Sequence, residues 1–279
     1  MLPEFFNAPY DMAQVPSYAE EVDALLLEGG KSPEQAPFDF AKQPPSSTAH
    51  FLSAMAQHLE CEVIGGSIPE RRGDNFFNTC LCFHADGTLG CRFSKLHLND
   101  TAIPGKLQFK ESAVLSPGSS LGIFETPFAT IGIGICYDMR VPEYALLLAE
   151  KKGAQLLCFP TAFSVFTGPV HLKPLVRARA IDGQCFFAVA SPAPAPTLAP
   201  SSEPAPYPYG HSMASDPWGK VLLDLEESPG LGVVEVDLSV IAEVKQSLRY
   251  ASQKQPDVYR LSEGPLSLAQ QKGPPPPSL

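Results

Sequence analysis

Residues 129–151 read ATIGIGICYDMRVPEYALLLAEK, and the change of period inside this stretch decides the fold. From Ala129 to Cys136 apolar residues alternate, the two-residue period of a strand with a buried face. From Pro142 to Lys151 the pattern becomes helical, and Pro142 falls in the first turn, where its missing N–H leaves no bond unmade. Downstream, AQLLCF at 154–159 predicts the next strand, a helical run covers 174–183, and CFFAVA at 185–190 is another buried strand. The pair 211–215 and 220–224 reads as strand and return strand, and LGVVEV at 231–236 as a further strand. Upstream, HFLSAMAQHLE at 50–60 has helical spacing, CEVIGG at 61–66 and FFNTCLCF at 76–83 read as strands, and LGCRFS at 89–94 returns through a turn at Asp86-Gly87. Hairpins mixed with strand–helix–strand units define an α/β protein with mixed sheets under helical cover.

The composition bounds what such a protein does. In 279 residues, 44% are hydrophobic and 18% charged, enough to build one large core, and a chain of this size buries roughly 75% of its unfolded surface. The net charge of −10, from 20 Lys+Arg against 30 Asp+Glu, argues against a nucleic-acid footprint or a polybasic membrane patch. No apolar run reaches the ~18 residues of a membrane span, and Met1-Leu2-Pro3-Glu4 has no signal-peptide pattern. Seven cysteines, mostly in apolar runs, predict reduced thiols in a cytosol-like compartment, with Cys61, Cys80, Cys82 and Cys158 as core residues. None stands at zinc spacing. The 30 prolines cluster at 33–45, 191–208 and 273–279. The first two clusters predict surface insertions, near 25–48 and 191–208, and the third a disordered tail, 266–279, behind a domain spanning 1–265. A proline-rich docking role for 191–208 or 273–279 is the less favoured reading of the same residues.

Cys136 stands where the deciding strand meets its helix. There the helix dipole and backbone N–H groups favour a thiolate and can serve an oxyanion, whereas most cysteines are simply buried. A thiol nucleophile needs a base. Six histidines (50, 58, 84, 97, 171 and 211) are available and none is forced by spacing. A buried carboxylate also serves once its pKa is raised, and Glu4 is flanked by Leu2, Pro3, Phe5 and Phe6. Lys95, in FSKLHL, either reaches solvent or fixes developing negative charge.

Taken together, LPEFFNAPY at 2–10, FSKLHL at 93–98 and GIGICYDMRVPE at 132–143 resemble the carbon–nitrogen hydrolase (nitrilase-like) superfamily, nearest its omega-amidase branch. Further matches run through GGSIPER (65–71), FNTCLCF (77–83), IPGKLQFKES (103–112), TGPVH (167–171) and YGHSMASDPWG (209–219). The resemblance implies a four-layer α-β-β-α sandwich, a Glu-Lys-Cys triad in that chain order, a small-molecule amide substrate, a homodimer and no metal or organic cofactor. Residue by residue, it implies Cys136 as nucleophile and Glu4 as general base. Lys95 with the Tyr137 N–H would hold the oxyanion, Glu111 would be a supporting carboxylate, and Tyr10 would lie at the substrate pocket. Arg140 or Arg177 would bind the carboxylate of a 2-oxo acid amide, or pair structurally, as Arg140 could with Glu143. A deaminated glutathione amidase, another short-amide hydrolase or an inactive scaffold of the same fold are the alternatives.

The start of the chain departs from the pattern. The family places the glutamate after a strand and a helix, and only three residues precede Glu4. A first strand and helix are therefore expected to be missing, with Glu4 on a mobile terminus and any organelle address unread. Leu172 stands where an aromatic is common in the branch.

Overall fold

The computed structural model describes residues 1–22, 47–194 and 208–264. The insertion near 25–48 lies almost wholly outside these residues, as do the centre of 191–208 and the tail from 266.

A short helix α1 (Val15–Tyr18) precedes α2 (Thr48–Leu59), which Ser47 caps by accepting the His50 N–H. Then come strands β1 (Val63–Ile64), β2 (Ile68–Arg72), β3 (Asn75–Phe83) and β4 (Leu89–Ser94). β3 is the spine of this first sheet: β1 pairs antiparallel with its Cys82–Phe83 end, β2 with Asn75–Thr79 and β4 with Thr79–Phe83. A small hairpin follows, β5 (Asp100–Ile103) with β6 (Leu107–Lys110).

The second sheet has six strands. These are β7 (Gly122–Glu125), β8 (Thr130–Ile133), β9 (Leu156–Pro160), β10 (Phe186–Ala190), β11 (Met213–Ser215) and β12 (Val221–Asp224), in the spatial order 12-11-10-9-8-7. β8, β9 and β10 run parallel, as strand–helix–strand connections require, and antiparallel strands close both edges. The intervening helices are α3 (Pro142–Leu146), which continues as a wider turn to Lys151, and α4 (Gly168–Gly183); α5 (Ser239–Ser247) follows the sheet.

Alternation along β3 sends its two faces to different layers. Cys80 and Cys82 join Phe93 from β4 in a core with Phe124, Ile133, Leu157, Phe159 and Phe187 of the second sheet. Leu81 and Phe83 face the other way, against Leu52 and Ala56 of α2. α4 packs on β10 and β11. The order is helix, sheet, sheet, helix, the four-layer sandwich that the resemblance implied.

Several elements differ from expectation. The strand at 129–136 ends at Ile133, and Cys136–Arg140 form a 3₁₀ turn. α4 begins at Gly168 instead of 174: Pro169 occupies its first turn, and Pro174 is accommodated inside it. Residues 231–236 join no sheet. Their alternation is real, with Leu231 90% and Val233 84% exposed, but alternation specifies a face and not a ladder partner, and none pairs with them among the described residues. Cys61 is exposed, not core; it follows the left-handed C-cap Glu60 at the rim. All seven cysteines are free thiols. Among the described residues no helix is long and apolar enough to cross a membrane.

Candidate active site

The first four residues are anchored, contrary to the mobile terminus expected. Leu2 N–H donates to Ile64 O at 3.0 Å, Ser67 N–H to Pro3 O at 3.1 Å, and Phe5 N–H to Ser67 Oγ at 3.1 Å. These bonds carry Glu4 to the first sheet, where it is 1% exposed.

Lys95 follows β4 directly. Its N–H donates to Asn78 O and its carbonyl accepts from Gly118 N–H, both at 2.8 Å. Its ammonium is fully buried and lies between two carboxylates, donating to Glu4 Oε1 at 2.8 Å and Glu111 Oε1 at 2.9 Å. Tyr10 donates to Glu111 Oε1 at 2.5 Å and stands 3.2 Å from Glu4 Oε1. Asn78 Nδ2 donates to Glu4 Oε1 at 2.8 Å. Glu111 Oε2 accepts from Asn99 N–H at 2.5 Å, which orients the whole carboxyl. Glu4 Oε2 is buried without a hydrogen-bond partner.

Cys136 opens the 3₁₀ turn with φ +42°, a left-handed conformation unfavourable for a residue with a Cβ. Such strain is held only where the surroundings over-determine it. Here the Asp138 carboxylate accepts the Ile135 N–H at 2.9 Å, and Cys136 Sγ lies 3.9 Å from Ala162 O. The thiol is close enough to Glu4 and Lys95 for both to act on its charge. Burial, then the Glu4 charge, push it up to about 12, against the opposing pull of Lys95 and the Thr161 hydroxyl. Burial likewise raises Glu4 above an ordinary glutamate, with Lys95 opposing and Glu111 assisting. Burial disfavours charge on Lys95, but Glu111 and Glu4 outweigh it and hold the ammonium well above the usual lysine range. The set is a thiol held protonated, a lysine held as ammonium, and a glutamate whose raised pKa suits it to exchange a proton.

The sulfur borders a narrow cleft lined by Asn99, Thr101, Tyr137, Arg140, Ser164 and Thr167, among others. Arg140 does not turn to Glu143. It stands 3.0 Å from His171 Nδ1 and 3.3 Å from Thr167 Oγ1, with its guanidinium over the Tyr137 and Phe163 rings. Arg177 donates to Gly219 O at 2.7 Å and is not among the residues lining the cleft. A larger cavity, about 290 Å³, lies against β10–β12, lined by Met1, Phe186, Leu223, Val234 and similar apolar side chains. Its lining is mainly apolar, with the hydroxyl-bearing Ser212 and Ser215 among it.

Glu4, Lys95, Glu111 and Tyr10 thus meet beside Cys136, while Tyr137 and Arg140 line the approach. Sequence reasoning missed Asn78, Asn99 and Thr161. Asn78 had a legible signal: an amide side chain inside the otherwise apolar FFNTCLCF.

A buried carboxylate–ammonium–thiol cluster between two sheets of a four-layer sandwich defines a class, and comparison with known proteins agrees. The carbon–nitrogen hydrolase family model matches residues 1–246, and the chain belongs to that family. It is 40% identical over 261 residues to the omega-amidase NIT2 of Bos taurus, covering 93% of this chain and 84% of that one. Against the chloroplastic omega-amidase of Arabidopsis thaliana it is also 40% identical, over 94% of this chain and 64% of the relative. The Saccharomyces cerevisiae protein Nit3, a member of branch 10 of the nitrilase superfamily, superposes with a TM-score of 0.73 at 34% identity, covering 88% of this chain and 79% of its own.

Proposed function

We propose that this chain is an omega-amidase that hydrolyses the terminal amide of 2-oxo dicarboxylic acid monoamides such as 2-oxoglutaramate and 2-oxosuccinamate. The observation that carries the reading is the buried Lys95 ammonium shared by Glu4 and Glu111 beside Cys136, opening on a cleft that Arg140 lines. The identity to omega-amidases over nearly the whole chain supports the substrate class.

The steps follow from the positions. Glu4 takes the thiol proton as sulfur adds to the amide carbon, forming the C–S bond. Charge develops on the carbonyl oxygen, and Lys95 with the Tyr137 N–H holds it. The oxyanion collapses, the C–N bond breaks, and Glu4 returns its proton to nitrogen, releasing ammonia and leaving a thioester on Cys136. Glu4 then deprotonates water, which adds to the thioester carbon; the C–S bond breaks, Glu4 returns that proton to the sulfur, and the acid departs. Glu111 and Tyr10 keep Lys95 and Glu4 in register. Arg140, steadied by His171 and Thr167, binds the substrate carboxylate through a charge-assisted contact.

Ammonia release separates this reading from its neighbour. Purified protein should turn over 2-oxoglutaramate with at least tenfold higher kcat/KM than deaminated glutathione, and Cys136→Ala should abolish both. Equal or reversed preference would reject the substrate assignment, and an active Cys136→Ala variant the mechanism.

A further inference from the structure

We infer that Asp138 is a positioning residue whose carboxylate staples the turn carrying Cys136 to the segment carrying Lys95, and so sets the separation of sulfur and ammonium. The inference rests on the roles given above to Cys136 and Lys95.

The two groups belong to different sheets. The Lys95 backbone is bonded to Asn78 and Gly118 beside the first sheet; Cys136 follows β8 of the second. What joins the sheets between them is mainly apolar packing. Such packing is non-directional and does not by itself fix one side chain against another to a fraction of an ångström. Asp138 adds direction. It is fully buried, and its two oxygens serve different segments. Oδ2 accepts the Ile135 N–H at 2.9 Å, at the entry to the strained Cys136. Oδ1 accepts the His97 N–H at 2.9 Å and meets His97 Nδ1 at 2.7 Å, a bond in which Nδ1 carries the proton. His97 lies two residues beyond Lys95. The same stretch is gripped again at Asn99, whose N–H goes to Glu111 Oε2. Alternate amides of one short segment therefore end on two buried carboxylates, one from the nucleophile turn and one from the partner of the lysine.

A buried carboxylate is costly unless its lone pairs are filled, and here three N–H groups fill them. Asn at this position keeps the shape but turns an amide toward groups that themselves donate. The sheets can then drift apart locally, and Lys95 withdraws from the sulfur.

The sign of one shift distinguishes positioning from charge. Removing a negative charge near a thiol lowers the thiol pKa, whereas moving Lys95 away raises it. The test follows iodoacetamide alkylation of Cys136, located by peptide mapping, across pH in the full chain and in Asp138→Asn. The alkylation profile should move to higher pH. kcat on 2-oxoglutaramate should fall about tenfold to hundredfold with KM within about twofold, because a misplacement near 1 Å costs up to ~10² in rate. A profile that is unmoved or moves to lower pH overturns the inference. His97→Ala, which keeps the carboxylate and the backbone bond, should give a smaller shift in the same direction. It decides alone if Asp138→Asn does not fold, and an unmoved profile then overturns the inference. An active Cys136→Ala variant would instead refute the underlying nucleophile assignment, so the two failures are distinguishable.

Discussion

Lys95 governs the electrostatics of the cluster. Its charge lowers the pKa of Glu4 and of Cys136 against a burial that raises both. Wild-type kcat/KM should therefore rise with pH as Glu4 loses its proton, through a midpoint above 4.5. Lys95→Gln should lower kcat by about 10²–10³, as loss of an oxyanion donor does, and move that acid limb to higher pH. A pH–rate profile that falls in amplitude without moving would contradict the coupling. The linked stability has a definite sign. A lysine whose pKa is raised on folding contributes stability in full below its unfolded value, and that contribution is lost only as pH climbs through the higher folded value. The effect of Lys95 on stability should thus be constant through neutrality. At this scale Cys136 was singled out by its place between strand and helix, whereas Glu4 and Lys95, unremarkable taken alone, were picked out only by the resemblance of their surrounding motifs. The sequence was silent on Thr161 and Asn99, because a hydroxyl or amide beside a loop has no local signature until the fold supplies its neighbours.

At the scale of elements, the strand–turn–helix around Cys136 works because glycine lets the sheet and turn approach closely. A Cβ on Gly134 would come 2.2 Å from the Phe159 ring. That ring is fully buried between sheets and cannot swing to solvent. Gly134→Ala should then destabilise by about 1–3 kcal/mol, the range for overpacking, and thermal melting measures it. An unchanged Tm would show that the ring gives way. The β3–β4 and β11–β12 hairpins and the strands β8, β9 and β10 were readable from period and turn residues, and β4 falls on its predicted bounds, but β2, β5, β6 and β7 were not read. The start of α4 was not readable either: the helical run was read only from 174, and tertiary packing of Leu172 and Val176 extends the helix back through Pro174 to Gly168. Nor was it readable that 231–236 pairs with no strand among the described residues, since a single strand pattern does not name its neighbour.

The whole molecule places its chemistry where the two sheets meet, with carboxylates and ammonium from one side and the thiol from the other. The layer order followed from the resemblance, because periodicity alone does not say which sheet faces which. Outside, Val165, Phe166 and Val170 are exposed at and just before the start of α4, which packs against the nucleophile turn. We propose this as the dimer face. Sedimentation at micromolar concentration should give near twice the chain mass of 30.0 kDa, and a single-chain mass would count against it. The central claim is that amide cleavage passes through an acyl group on Cys136. Turnover of a terminal-monoamide analogue without the 2-oxo group, which hydroxylamine cannot capture as an oxime, in the presence of hydroxylamine tests it most directly. The account predicts that ammonia release continues while part of the product is diverted to the hydroxamate, and that both cease in Cys136→Ala. Ammonia release with no hydroxamate at any hydroxylamine concentration, or with Cys136→Ala fully active, would contradict it.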